Sequence, residues 1–247
     1  MSRTVRRGGW LALALVALVP LAQPAAQEDA KRLNIWDIGI GEAASKIPDE
    51  FINYACGTNG GPPSVPLAGF SGFRKCRPEA DGLREVYFEY DDELEYRARA
   101  LGLKDEIRMY AGTTAYEFPI VASALIDDAG IVKGVRLVTD PRQQVSRDRF
   151  EFWMLADFIR QRFGDAGWEC KDLPPDEGEG PVGTRFIKNR CDKQANNLRL
   201  VLEQRLLQKK GQRFVDPETG RPRPEAFESS TRFEMYDGAA SRGDGRG

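Results

Sequence analysis

Four cysteines, Cys56, Cys76, Cys170 and Cys191, constrain this 247-residue chain more than any other residues in it. Their meaning depends on the compartment, and the N-terminal segment speaks to that. Arg3, Arg6 and Arg7 precede an apolar run from Trp10 to Leu21, interrupted at Pro20, and the small-residue stretch 22–26 follows. Positive charge, a short apolar core and small residues, in that order, form the pattern of a cleavable secretory signal. The apolar run is shorter than the ~20 residues a helix needs to span a bilayer. The expectation is a signal peptide over 1–26, a linker over 27–32, and a periplasmic or secreted folded region that is not an integral membrane protein. An N-terminal membrane anchor is the competing reading, because no strict A-x-A triplet marks the cleavage point.

In an exported chain an even cysteine count reads as a disulfide framework, and four cysteines allow three connectivities. Proximity in sequence favours Cys56–Cys76 and Cys170–Cys191. Each bridge would close a loop of about 20 residues and contribute about 3 kcal/mol by restricting the unfolded chain. A four-cysteine metal site is disfavoured, since no C-x-x-C spacing occurs.

The chain has no histidine. Ser-His-Asp and Cys-His catalysis, histidine-ligated zinc or haem, and the usual neutral-pH general base are therefore excluded. No S-x-x-K is present to support a serine–lysine acyl enzyme, and bridged cysteines leave no thiolate nucleophile. Carboxylates are the main catalytic option left, and no cofactor is expected. Loss of the signal would remove three of the 36 basic residues and none of the 38 acidic ones, leaving 33 against 38, a net charge of −5. That balance gives no electrostatic reason to expect nucleic acid as a partner.

Periodicity predicts short strands at 33–38, 51–56, 83–90, 168–173, 184–191, 198–207 and 231–236, with a hairpin of 118–126 and 131–138 around 127–130. In 83–90 the alternation sets Val86, Phe88 and Tyr90 on one face and Glu85, Tyr87 and Glu89 on the other. A helix is expected from Asp91 or Asp92 with a stripe of Leu94, Ala98 and Leu101. A second runs over 147–163, with Asp148 and Glu151 near its start, Phe152, Leu155, Ile159 and Phe163 buried, and Gly164 as terminator. Residues 237–247 read as a disordered tail. Strands with interspersed helices and hairpin returns indicate an α+β fold, an antiparallel sheet with a few packed helices. Its halves are placed at 33–112 and 113–236. Residues 76–86 and 191–201 align without gaps and share Cys, Ala, Leu, Arg and Val at matching positions. Duplication of a helix-on-sheet half and chance similarity of two strands are the readings this leaves open.

Several motifs carry a chemical and a plain reading. Residues 39–44 match G-x-G-x-x-A, but Pro48 interrupts the following helix and no acid lies about 20 residues on, so a tight turn is favoured over a dinucleotide fingerprint. The acids Glu89, Asp91, Asp92, Glu93 and Glu95 could supply a cation site or a glycosidase pair. Their place at a helix start favours capping and solvation instead. The 56–76 loop, rich in Gly and Pro, offers Asn59, Phe70, Phe73 and Arg74 as a binding surface. The alternative is a compact loop whose phenylalanines pack down. The basic 208–228 loop reads as a solvated hairpin loop, with weak attraction to anionic envelope surfaces as the sharper idea.

The stretches DEFINYACGTNGGPPS (49–64), CRPEADGLREVYFEYDDELEY (76–96) and IDDAGIVKGVRLVTDPR (126–142) together resemble a group of exported Gram-negative bacterial proteins to which no activity is attached. That resemblance implies export and nothing about chemistry. More loosely, the order of strand, I-G-x-G turn, short helix and Cys-bearing strands is similar to small periplasmic helix-on-sheet modules. Examples are the assembly lipoproteins of the outer-membrane β-barrel machinery and the tandem-repeat β-lactamase-inhibitor proteins. This chain lacks the lipid-anchoring cysteine of the former. The leading expectation is a non-enzymatic periplasmic binding or envelope-associated module contacting a protein or cell-wall component. The alternative is a carboxylate-dependent hydrolase acting on glycans, with its pair drawn from Asp91, Asp92 and Glu93.

Overall fold

The apolar run Phe118–Ile126 and the run Val132–Thr139 are joined by Asp127-Asp128-Ala129-Gly130, whose Gly130 takes a φ of 83°. Gly130 donates to the Asp127 carbonyl and the Ile131 amide to the Asp127 carboxylate, closing the turn. This hairpin is the middle of the sheet. The structure, a computed structural model, describes residues 33–48, 50–91, 93–110, 112–140, 152–209, 214–215, 222–223 and 227–238. The described residues all belong to one compact unit. The proposed signal and linker, the segment 141–151 with Asp148 and Glu151, and the tail beyond Gly238 lie outside the described residues.

In chain order the strands are β1 (Phe51–Cys56), β2 (Arg84–Tyr90), β3 (Thr114–Ala115), β4 (Phe118–Ile126), β5 (Val132–Thr139), β6 (Glu169–Asp172), β7 (Glu179–Gly180), β8 (Ile187–Ala195), β9 (Leu198–Lys209), β10 (Phe214–Val215), β11 (Pro222–Arg223) and β12 (Phe227–Asp237). The helices are α1 (Glu93–Leu101), α2 (Lys104–Tyr110) and α3 (Leu155–Phe163). Short 3-10 turns lie at Ile35–Asp37, Ala44–Lys46, Phe70–Lys75 and Phe152–Met154. The sheet runs β1-β2-β4-β5-β12-β9-β8-β6, with β3 beside β4 and β7 beside β9, and every pairing is antiparallel. The fold is thus α+β weighted towards antiparallel sheet. The two runs β1-β2-β4-β5 and β6-β8-β9-β12 each proceed from an edge to the centre. The strands aligned at a 115-residue offset, β2 and β9, hold the second and third places of those runs, so that offset does not match the sheet's own order.

One face carries the main core. Val86, Phe88 and Tyr90 of β2 meet Ile120, Ala122 and Ala124 of β4, Val135 and Leu137 of β5, Phe233 of β12, and Leu200 and Leu202 of β9. Leu155, Ala156 and Ile159 of α3 and Ile35 close over it. Gly164, at a φ of 82°, ends α3 as its sequence indicates. Cys56 is bonded to Cys76 and Cys170 to Cys191, the connectivity expected from sequence proximity. Among the described residues no helix is long and apolar enough to cross a membrane.

Four readings need correction. Residues 33–38 are a 3-10 turn and not a strand. The Asn34 side chain accepts from the Trp36 amide and the Asp37 carboxylate from the Asn34 amide, local bonds that compete with a ladder. Leu101, the third residue of the α1 stripe, is 60% exposed, because Gly102 ends the helix and α2 follows at once. The strand read as ending at Cys191 continues to Ala195 and turns through Asn196-Asn197, both at positive φ, directly into β9. Finally, Phe70 and Phe73 are buried and so do not offer aromatics at a surface. Phe70 packs edge-on against Phe51, Tyr54 and Phe88, with centroids 6.0, 5.0 and 5.3 Å away. Burying such a ring outweighs any interaction left at the surface. Phe70→Ala is therefore expected to lower unfolding free energy by about 3–5 kcal/mol in a denaturant titration. A loss under about 1 kcal/mol would mean that the ring is not core.

Candidate functional site

The other face of the sheet carries charge beside a small apolar cluster of Ala55, Tyr87 and Val121, and its register shows why. One row across it runs Tyr87, Ser123, Arg136, Glu234, Val201 and Asp192, each directly opposite the next on neighbouring strands. Arg136 sits inside the apolar run of β5, and Glu234 lies between Phe233 and Met235 of β12. Strand alternation turns both away from the core and towards each other.

Arg136 is 2% exposed and uses its whole donor fork. Nε donates to Glu234 at 2.6 Å, Nη1 and Nη2 donate to the two Glu79 oxygens at 2.6 and 2.9 Å, and Nη1 lies 3.2 Å from Glu85 Oε2. A bidentate guanidinium–carboxylate pair is among the stronger side-chain contacts. Arg232 donates to Glu234 from Nε at 3.0 Å and from Nη2 at 2.6 Å, and the Tyr236 hydroxyl donates to Glu234 Oε2 at 2.8 Å. Burial by itself would ease the proton off Arg136, but Glu79, Glu234 and Glu85 hold it more firmly than usual. Burial and the Glu234 charge push the Tyr236 hydroxyl up.

This cluster also seats the loop after β1. Glu85 accepts the backbone amides of Asn59 and of Gly60 (3.0 Å), while its own carbonyl accepts from Gly57 at 2.9 Å. Arg232 donates to the Asn59 carbonyl at 2.9 Å and to its side-chain oxygen. The approach leaves no room for a side chain. A Cβ on Gly57 would fall 2.3 Å from Glu85 Cδ, and one on Gly60, at a φ of 77°, 2.4 Å from Val138 Cγ2. Cys56–Cys76 anchors the base of the loop. Its segment 64–67 folds back along β1, with Cys56 donating to the Val65 carbonyl at 2.8 Å and Leu67 to the Tyr54 carbonyl at 2.8 Å.

Beyond the cluster the face opens. Arg190 bonds Asp192 at 3.3 Å and Glu203 at 3.2 Å, Arg199 bonds Asp192 at 3.2 Å, and Arg205 reaches Glu203 at 3.4 Å and Glu228 at 3.5 Å. Lys209 bonds Glu228 at 3.0 Å. The Arg190, Arg205 and Lys209 side chains are 40%, 36% and 40% exposed. Their partners are more buried, Arg199, Glu203 and Glu228 being 20%, 17% and 21% exposed. Surface pairs contribute about 0–1 kcal/mol each, so the outermost members, Arg190, Arg205 and Lys209, can turn to an outside partner at small cost. Chemically the band is a set of alternating charges on a rigid sheet, suited to recognition.

Of the residues singled out from sequence, Asn59 belongs to this face as a tether of the loop. Phe70 and Phe73 are in the opposite core. Arg74 is exposed, with Nη2 donating to the Asp128 carbonyl at 3.2 Å. Asp91 is exposed and Glu93 is exposed in the first turn of α1, while Asp92 lies outside the described residues. Nearby acids are engaged locally: Glu95 accepts from Gly112 at 2.6 Å and Arg99 at 2.7 Å, and Glu89 from Asn53 at 2.7 Å. Asp91 and Glu93 are thus solvated near the positive end of α1, whereas Glu95 is part-buried with its side chain 16% exposed and Glu89 belongs to β2. The Gly39–Ala44 turn gives its Gly41 and Ala44 amides to the Val132 and Gly130 carbonyls, both at 2.8 Å, which commits donors a phosphate would need. Among the described residues no group of three or more acidic or cysteine side chains could hold a metal. Glu79, Glu85, Arg136 and Glu234 were not singled out from sequence. The available signal was a charge inside each of two apolar strands, which acquires meaning only once the strands are in register.

Burial would push the Glu234 carboxyl up, but Arg232 and Arg136 bring it from 4.5 down to about 2. A depressed carboxyl stabilises the fold above its unfolded value and loses that contribution as pH falls towards its folded value. The difference amounts to about 3 kcal/mol. The stability gap between wild type and Glu234→Gln, measured by denaturant titration, is expected to close between about pH 5 and pH 2. A gap that stays constant over that range would contradict the assignment. No protein-family model matches the chain, and no curated protein and no solved structure matches it either.

Proposed function

We propose that this protein is a non-enzymatic binding module of the extracytoplasmic space, and that it meets a protein partner of the cell envelope through the charged face of β8, β9 and β12. The observation that carries this is the half-exposed band of Arg190, Asp192, Arg199, Glu203, Arg205, Glu228 and Lys209, mounted on a sheet whose neighbouring loop is clamped from beneath. Alternating charge on a rigid support confers specificity and orientation rather than raw affinity, which suits a docking surface. Two disulfides support an oxidising compartment, and with it the signal-peptide reading of 1–26. The edge-to-centre order of both four-strand runs supports an ancient doubling of a four-stranded unit, in a frame other than the 115-residue offset.

Tagged protein incubated with envelope extract is expected to retain a partner whose capture weakens with salt. The double variant Arg190→Glu/Arg205→Glu should reduce capture by roughly tenfold or more, equivalent to about 1.4 kcal/mol. Asp91→Asn, away from the band, should leave capture unchanged. If no specific partner is retained, or charge reversal leaves capture intact, the proposal fails.

A further inference from the structure

The two disulfides have contrasting surroundings. Cys56 and Cys76 are each 3% exposed and belong to the main core. Cys191 is fully buried, but its partner Cys170 is exposed on β6, an edge strand whose four residues are all exposed and which pairs only with β8. Cys170 and Cys191 face each other in that pairing. The bridge therefore joins an exposed residue to a fully buried one.

Beside Cys191 lies Arg160 of α3. Its Nη2 is 3.3 Å from Cys191 Sγ and 3.9 Å from Cys170 Sγ. Among the described residues the remaining contacts of this guanidinium are long: Gln204 Oε1 at 3.4 Å, and Asp157 Oδ1 at 3.9 Å on a side chain that is 53% exposed. Its Nε is buried with no acceptor. Disulfide sulfurs are weak, uncharged acceptors, whereas a thiolate bears a full negative charge. The guanidinium thus gains a close counter-ion only when the bridge opens.

We propose that Cys170–Cys191 is a thiol-exchange site for a dithiol reductant, with Arg160 stabilising the thiolate that leaves. A reductant thiolate attacks Sγ of Cys170, the exposed residue of the pair, forming a mixed disulfide as the Cys170–Cys191 bond breaks. Cys191 departs as a thiolate beside Arg160. The second thiol of the reductant gives its proton to water and attacks its own sulfur in the mixed disulfide. Cys170 is released and takes up a proton. Two electrons pass to the protein, and the reductant becomes a disulfide.

Opening frees a short edge segment and leaves the fold in place. Before β6, Lys193 Nζ donates to the carbonyls of Phe163, Gly164 and Ala166 at 2.6, 2.6 and 2.7 Å. After it, Leu173 donates to the Lys188 carbonyl at 2.7 Å. Between these anchors Trp168 packs against the main core and its Nε1 donates to the Gly164 carbonyl at 3.0 Å, while the four residues of β6 itself are held, among the described residues, by the ladder to β8 and by the bridge.

The test uses the full-length folded protein with dithiothreitol as the probe, without denaturant, followed by alkylation and peptide mass spectrometry. Cys170 and Cys191 should become alkylated at least roughly tenfold faster than Cys56 and Cys76, access being a main control of exchange rate. Arg160→Met should slow opening by roughly tenfold while the Cys56–Cys76 rate holds, and Arg160→Lys should recover most of it. In the selectively reduced protein, ultraviolet thiolate absorbance should titrate at least about one unit below the ordinary thiol value near 8.5, and Arg160→Met should abolish that displacement. Equal rates at the two bridges in wild type would overturn the proposal, a result independent of whether Arg160→Met folds. An unshifted titration in wild type would overturn the role of Arg160.

Discussion

One buried guanidinium, that of Arg136, joins parts of the chain that would otherwise repel one another. Glu79, Glu85 and Glu234 come from the turn before β2, from β2 and from β12, and all three reach it. Desolvating this many charges costs several kcal/mol per ion, so the cluster is a poor source of net stability. What it confers is position. Removing the cation would leave three carboxylates close together with Arg232 beside one of them, so Arg136 favours this pairing of strands over others. Arg232 adds a second positive charge on the same Glu234 oxygen and extends the arrangement to Asn59.

From this centre the rest of the polar face follows. Glu85 converts strand position into loop position, because its carboxylate holds two consecutive amides of the 57–60 turn. Glycine at 57 and 60 permits the approach, and the Cys56–Cys76 bridge fixes where the loop returns. On the far side of Glu234 the same alternation continues outward through β9 and β8, but burial gives way to half-exposed pairs. The gradient from locked to exchangeable charge is what makes a recognition surface plausible chemically: a rigid base carries groups whose present partners cost little to replace. The core face contributes nothing to this directly. It supplies the stiffness of the support, through Phe88, Leu137, Phe233 and the α3 residues packed with them.

Much of the scaffold is legible in sequence because short-range patterns dictate it. Alternation in Arg84–Tyr90, the turn chemistry at 127–130 and the glycine ending α3 all act within a few residues. The cysteine pairing is legible for a similar reason, since neighbours in sequence are the cheapest loops to close. What escapes is set by long-range register. Glu85 reads as a solvent-facing residue of its strand, yet it is 2% exposed because a loop and a strand distant in sequence cover it. Phe70 and Phe73 sit in a stretch with loop composition, and only the proximity of Phe51, Tyr54 and Phe88 draws them inward. Residues 33–38 mislead in the opposite way, as an apolar alternation overruled by a capping interaction between Asn34 and Asp37. The charged face itself could not be assembled from sequence, because its members lie far apart in the chain, Glu85 and Glu234 by 234 − 85 = 149 residues.

The Arg136 cluster holds the 57–60 loop against the sheet through Glu85 and Arg232. Native-state hydrogen exchange at the Asn59 and Gly60 amides measures this directly. Both amides should be protected in the wild-type protein, and Glu85→Gln should release them while amides of β4 and β5 keep their protection. Exchange of both at unprotected rates in wild type, or protection unchanged by Glu85→Gln, would contradict it.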